Sequence, residues 1–385
     1  MRETRLSRSA GESTRPKPRF LRPVAAIFYN ARVKTWDVIV IGGGVIGLTL
    51  SIALRKRGIK VLVVERGEPA REASHAAAGM LADCPLEIPR PLQALATASA
   101  RMYPEFVHEI QDESGMNVDL RDHGTLLLGP LDASPSRPVS PPEPPLPAPL
   151  AELEPALENL NRPARFFAER SVDPRALSAA VLRAAKHREV DISSGTSVQQ
   201  VLTENGRVSG VQAEKTTYHA PVVVNCAGAW AGNLPPVELP VRPVKGQMLA
   251  LVGSPILRHV IRSPEVYLVP RSDGRTLVGS TLEEAGYDKR TDADTIRRLH
   301  QAAMQLVPGL QQARVLEAWA GLRPGTPDDL PILGKMEAAG YYIAAGHFRD
   351  GILLAPVTAH NMAQIIAGEK PDCDLSAFSA ERFRH

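Results

Sequence analysis

Gly42, Gly44 and Gly47 stand at the spacing G-x-G-x-x-G, directly after the apolar, β-rich run Val38–Ile41. That spacing suits the binding of a dinucleotide. The first glycine permits a tight turn, the second lets the backbone approach a pyrophosphate, and the third lets the following helix pack on the strand. The N-terminus of that helix then offers unpaired N–H groups to the phosphates. A second β-rich run, KVLVVE, ends at Glu65, 23 residues after Gly42, where an acid holds a ribose hydroxyl and disfavours a 2′-phosphate. The expected ligand is therefore FAD or NAD. A membrane helix over Val38–Leu54, seventeen residues without a charge, is the competing reading; three consecutive glycines and the marginal length argue against it.

These residues need a parallel α/β core to hold them. At 385 residues the chain is long enough for two domains, and 44% hydrophobic with 23% charged residues is the balance of a globular protein. The net charge of +3 divides into +7 over residues 1–34 and −4 over the remainder, so the body is mildly acidic and no nucleic-acid partner is expected. Residues 1–34 read as a disordered basic extension, either a transit peptide or the product of a start assigned too far upstream. Cys84, Cys226 and Cys373 are far apart and show neither metal-ligand nor disulfide spacing, which points to a reducing compartment and no metal. Cys226 is expected to be a buried filler.

Glu72–Met80 is small and glycine-bearing, suited to wind closely around a flat ligand or to start a helix. Helices are expected over Leu92–Glu113, Pro174–His187, Asp292–Leu306 and from about Ile352. Strands are expected at Thr125–Leu128, Ser197–Val201, Val208–Ala213, Val222–Gly228, Gly246–Val252, Glu265–Pro270, Thr276–Ser280 and Tyr341–Ala345. The run 130–155 holds ten prolines and reads as an exposed polyproline-like loop, with no helix or inner strand. The fold class expected is α/β, with a discontinuous Rossmann-like dinucleotide domain (35–82, 171–240 and 319–385). A second, mainly antiparallel α+β substrate domain (83–170 and 241–318) would carry the proline-rich loop.

Four segments, AAAGML (76–81), VRPVKGQML (241–249), AGLRPGTPDD (320–329) and AAGHFRDGILLAP (344–356), together resemble the glycine oxidase branch of the D-amino-acid oxidase-like flavoproteins. The resemblance runs from about Trp36 to Phe378. It implies noncovalent FAD, with Val45 and Ile46 in the phosphate turn and Glu65 and Arg66 at the ribose. Ser74, Ala78, Gly79 and Met80 would surround the flavin, Val198 would contribute its backbone, and His347, Phe348, Arg349, Asp350, Gly351, Ile352 and Leu353 would line the isoalloxazine. A helix starting near Ile352 would set its positive end beside the ring and stabilise charge developing on reduction.

For the substrate, the resemblance implies that Arg323 binds a carboxylate, Tyr267 donates its hydroxyl to the same group, and Arg349 lies near substrate and flavin. Arg271 reads as structural. Glu265 and Leu282 depart from the pattern of a well-known glycine oxidase at positions around the substrate pocket. The reaction implied is oxidative deamination of glycine, with sarcosine and small D-amino acids as further candidates. Hydride would move to the flavin and O2 would be the acceptor; the products are an imine, then glyoxylate, ammonia and H2O2, in support of thiamine thiazole synthesis. No side chain is required as acid or base. Alternatives are a D-amino-acid dehydrogenase with another acceptor, an FAD-dependent tRNA-modifying enzyme and a flavoprotein without turnover. A cytoplasmic homo-oligomer, a tetramer by family resemblance, without an integral membrane segment completes the expectation.

Overall fold

The computed structural model describes residues 35–84, 87–129, 146–253 and 256–384. The basic extension and residues 130–145 of the proline-rich run therefore lie outside the described residues.

Strand β1 (Val38–Ile41), helix α1 (Val45–Lys56) and strand β2 (Val61–Val64) form the expected βαβ unit. The strands are buried on both faces, which is why they read as unbroken apolar runs rather than as alternating ones. β1 is central in a six-stranded sheet whose order is Ile332–Lys335, Tyr341–Ala345, Val222–Asn225, β1, β2, Asp191–Ser193. All neighbours are parallel except Ile332–Lys335, which runs antiparallel to Tyr341–Ala345.

The pleat sends Val38, Val40, Val61 and Val63 into one core shared with α1, Gln93–Ser114, Pro174–His187 and Gly351–Ile366. Ile39, Ile41, Leu62 and Val64 face the opposite way, onto a three-stranded antiparallel sheet that includes the hairpin Val198–Glu204 and Arg207–Ala213. Helix Pro174–His187 starts where its sequence says it should. Asp173 accepts from the amides of Arg175 and Ala176, and Pro174 fills the first helical position, where an N–H would be unpaired anyway.

A second sheet has seven strands in the order Arg314–Gly325, Arg242–Val252, Arg275–Gly279, Tyr267–Pro270, Val260–Arg262, Thr125–Leu128, Ala164–Phe167. Four of its members differ from expectation, Val260–Arg262 and Ala164–Phe167 being short strands that no expected run covers. Arg314–Gly325 and the longer reach of Arg242–Val252 pair with each other from Arg242↔Gly325 to Val252↔Arg314. Gly321 and Pro324 mask the first strand in the sequence, and its partner supplies the order that local propensity does not. Ile332–Lys335 is likewise an unexpected strand.

Within the described end of the proline-rich run, Leu150–Leu153 forms one helical turn, against the expectation of no helix. The prolines pause between Pro149 and Pro155, and Pro149 precedes the turn rather than interrupting it. Glu72–Met80 combines both readings: a short helix α2 (Ala73–Ala76) leads through extended Ala77 to strand β3 (Met80–Leu81). Among the described residues no helix is long and apolar enough to cross a membrane. Val38–Leu54 is strand, turn and helix.

Candidate active site

The glycine turn sits at the C-terminal end of β1, the position where open parallel sheets bind ligands. Gly42 has φ +104°, and a Cβ there would lie 2.4 Å from the Cys226 carbonyl oxygen, so both backbone shape and space demand glycine. A Cβ at Gly47 would lie 2.1 Å from the Gly42 carbonyl oxygen, which is how closely α1 packs on the turn. Gly44 is the N-cap of α1 and has no side chain to cap it; the first turn holds no acidic residue. The Val45 amide donates to Ser74 Oγ at 2.9 Å, and no residue of the first turn carries a negative charge against the positive end of α1. Glu65 accepts from the amides of Gly43 (2.7 Å) and Gly67 (2.8 Å), which fixes its carboxylate beside the turn.

These groups form one end of a cavity of about 990 Å³, at the top of the usual range for small-molecule sites, roughly 300–1,000 Å³. Gly42, Gly44, Val45, Ile46, Glu65, Arg66, Ser74, Ala78, Gly79, Met80 and Val198 line it, with His347, Phe348, Arg349, Asp350, Gly351, Ile352, Tyr267 and Arg323. Gly47 is off the wall, in keeping with its packing role. Leu353 is buried in the helical core, and its side chain is not part of the cavity lining. The size, the anion-accepting helix end and the glycine that a Cβ would clash at all fit an extended dinucleotide such as FAD.

The second sheet supplies the opposite wall. Trp319, Met248, Gly279, Tyr267, Arg262 and Leu127 are successive cross-strand partners and share one face, which meets Ala78 and Met80. Two glycines open space on this wall. A Cβ on Gly246 would lie 2.1 Å from Arg323 Nη1, and one on Gly279 would lie 2.5 Å from the Tyr267 ring.

Four arginines line the cavity, and their partners differ. Arg66 pairs with Glu72 at 3.1 Å, and Arg262 pairs with Glu87 and, at 2.8 Å, with Glu169. Among the described residues neither Arg323 nor Arg349 forms an ion pair. Arg323 instead donates to Ser280 Oγ at 2.7 Å and to the Thr281 carbonyl at 3.2 Å, beside Tyr267. Burial lowers its pKa, Tyr267 opposes the shift and the like charge of Arg349 adds to it. Arg349 is exposed, with its guanidinium 5.0 Å from the Phe348 ring centroid. A partly buried cation with a second cation near it and no carboxylate partner suits an anionic ligand.

The departures noted in the sequence also fall on the wall: Glu265 is exposed and bridged to Arg162 at 3.0 Å, and Leu282 is 56% exposed. Arg271 is buried and donates to the Ala78 carbonyl, beneath the Ala78–Met80 segment. Burial pushes its guanidinium down to about 10, with Asp173 and Asp119 opposing. Cys226 is buried, and burial pushes its thiol well above the usual range, which suits a filler. Trp230, Arg262, Ser280 and Thr281 are wall residues that sequence reasoning missed. Only Trp230, an aromatic closing the run AGAW after Val222–Asn225, carried a local signal.

His347 is 3% exposed, with Nε2 3.2 Å from Thr358 Oγ1, and burial pushes its pKa down to about 3. It is neutral at physiological pH. Unfolding restores an ordinary imidazole near 6.5, so the unfolded chain binds the extra proton and the contribution to stability is lost as pH falls from 6.5 towards 3. Relative to His347→Gln, the parent is expected to lose up to about 1.4 kcal/mol per pH unit over that range. Denaturant titrations at several pH values check this; equal pH slopes would contradict it.

Residues 37–365 match the family model described as DAO, FAD dependent oxidoreductase. The bifunctional protein ThiO/ThiG of Trichormus variabilis is 37% identical over 366 residues, covering 91% of this chain and 55% of that protein. The chain thus spans about half the length of that relative. The glycine oxidase of Pseudomonas putida is 32% identical, with 90% of this chain and 98% of that one covered. The crystal structure of glycine oxidase from Geobacillus kaustophilus superposes with a TM-score of 0.83 at 30% identity, covering 91% of this chain and 99% of that one. With the family model matched from the first strand almost to the end of the last α-helix, this chain belongs to the DAO family of FAD-dependent oxidoreductases.

Proposed function

We propose that this enzyme oxidises glycine to its imine, with FAD held noncovalently and O2 as the final acceptor. The observation that carries the reading is Arg323, the wall cation that stands between two hydroxyl-bearing side chains, Tyr267 and Ser280, without a carboxylate of its own. Its planar fork matches a substrate carboxylate, Tyr267 donates to the same group, and the exposed Arg349 adds positive potential. FAD, when bound, supplies the two-electron acceptor.

The chain's part is to hold and orient. With the carboxylate fixed, the α-carbon of a neutral amine is aimed into the flavin end of the cavity, beside His347–Ile352. The nitrogen lone pair forms the C=N bond as the α-hydrogen leaves with its electron pair, so no side chain must act as base. Neutral His347, occupied with Thr358, is a packing group in this scheme. Water then converts the imine to glyoxylate and ammonia, and O2 is reduced to H2O2. Relatives carrying the ThiO/ThiG name support a supply of imine for the thiazole of thiamine.

We assign the sheet that begins with β1 to the flavin domain and the seven-stranded sheet to the substrate domain, and place the enzyme in the cytoplasm as a homo-oligomer. Aerobic turnover of glycine should give glyoxylate, ammonia and peroxide in equal amounts. Glycine consumption without peroxide would favour the dehydrogenase reading instead.

A further inference from the structure

The chain between strand Arg275–Gly279 and helix Ala293–Leu306 crosses from the seven-stranded sheet to the rim of the nucleotide end of the cavity. Backbone bonds between Lys245 and Glu283, 2.9 and 3.0 Å, fix its start. Its middle makes two contacts with the opposite rim. Tyr287 stacks on Trp230 with ring centroids 5.3 Å apart and planes 22° from parallel. The Tyr287 hydroxyl donates to the Ala229 carbonyl at 3.2 Å and accepts from Asn233 Nδ2 at 2.9 Å. Two residues on, Lys289 Nζ donates to both oxygens of Glu72, at 3.0 and 3.1 Å.

Both anchors belong to the cavity wall and meet at Arg66. Trp230, Asn233, Glu72 and Arg66 all line the cavity, while Tyr287 and Lys289 stand behind them. Arg66 follows Glu65, places its guanidinium 3.4 Å from the Trp230 ring centroid and pairs with Glu72 at 3.1 Å. Glu72 thus joins two cations from distant parts of the chain and ties the segment to the rim beside Arg66. We propose that Tyr287 and Lys289 form a clasp over the adenosine end of FAD and set how fast the cofactor leaves. This rests on noncovalent binding and on Glu65 marking the ribose end.

The test is flavin release from the holoprotein, followed as the rise of free-flavin fluorescence after dilution, at low and high salt. Tyr287→Ala together with Lys289→Gln is expected to speed release about tenfold. The Lys289→Gln effect should fade at high salt, because an exposed ion pair is screened, while that of Tyr287→Ala persists. Tyr287→Phe, which keeps the stack but loses both hydroxyl bonds, should fall between the parent and Tyr287→Ala. The surface variant Lys289→Gln keeps the proposal open to refutation if Tyr287→Ala fails to fold. Release from every variant at the parental rate would overturn the clasp alone. A parent whose flavin stays with the acid-precipitated chain would overturn noncovalent binding, and the clasp with it.

Discussion

Replacing Arg323 with Ala is expected to raise KM for glycine by roughly 10- to 150-fold, the equivalent of one charge-assisted bond worth about 1.5–3 kcal/mol, with the flavin spectrum unchanged. Arg323→Lys should recover little, since an ammonium cannot present two parallel donors to a carboxylate. The effect should be reproducible without touching the arginine. A Cβ on Gly246 would lie 2.1 Å from Nη1 and 2.5 Å from Nη2 of Arg323, atoms at the end of a flexible side chain. Gly246→Ala should therefore fold, displace the guanidinium and raise KM in the same direction. Steady-state kinetics on the three variants check this, and a wild-type KM in Arg323→Ala would remove the carboxylate assignment.

Gly42→Ala is expected to abolish flavin binding. The residue combines φ +104° with a Cβ position 2.4 Å from the oxygen and 2.8 Å from the carbon of the Cys226 carbonyl, backbone atoms at the end of a strand paired on both sides. The conformational cost of about 1–2 kcal/mol is joined by an overpacking cost of about 1–3 kcal/mol, and relief requires moving the turn that faces the phosphates. Gly58 is the control: it has φ +76° but nothing within 4 Å of its Cβ position, so Gly58→Ala should bear the conformational cost alone and keep its flavin. Flavin per chain and thermal midpoints of the two variants test the contrast; full flavin in Gly42→Ala would contradict it.

The parts legible in the sequence are those specified locally. Thr125–Leu128, Pro174–His187 and Tyr341–Ala345 fall where their patterns place them, because each is bracketed by a cap, a proline or a glycine. Arg314–Gly325 was hidden because its order comes from a partner far upstream, Arg242–Val252. The site divides the same way. The glycine turn and Glu65 are legible from spacing, whereas Arg323 stands out from Arg262 in the sequence only through the resemblance carried by AGLRPGTPDD. Their surroundings differ in three dimensions: Glu87 and Glu169 neutralise Arg262, while among the described residues hydroxyls and a carbonyl meet Arg323 and no carboxylate does. Ser280 and Thr281, which hold Arg323, lie at the end of strand Arg275–Gly279, where no residue pattern marks them as part of a site. Leu353, carried over with the GHFRDGILL turn, is buried in the helical core, where its side chain does not line the cavity.

The most direct test of the account is the visible spectrum of the purified protein mixed with glycine under anaerobic conditions and then opened to air. The account requires the oxidised flavin bands to bleach with glycine and to return with air as peroxide accumulates. A bound flavin that stays oxidised in the presence of glycine would contradict it.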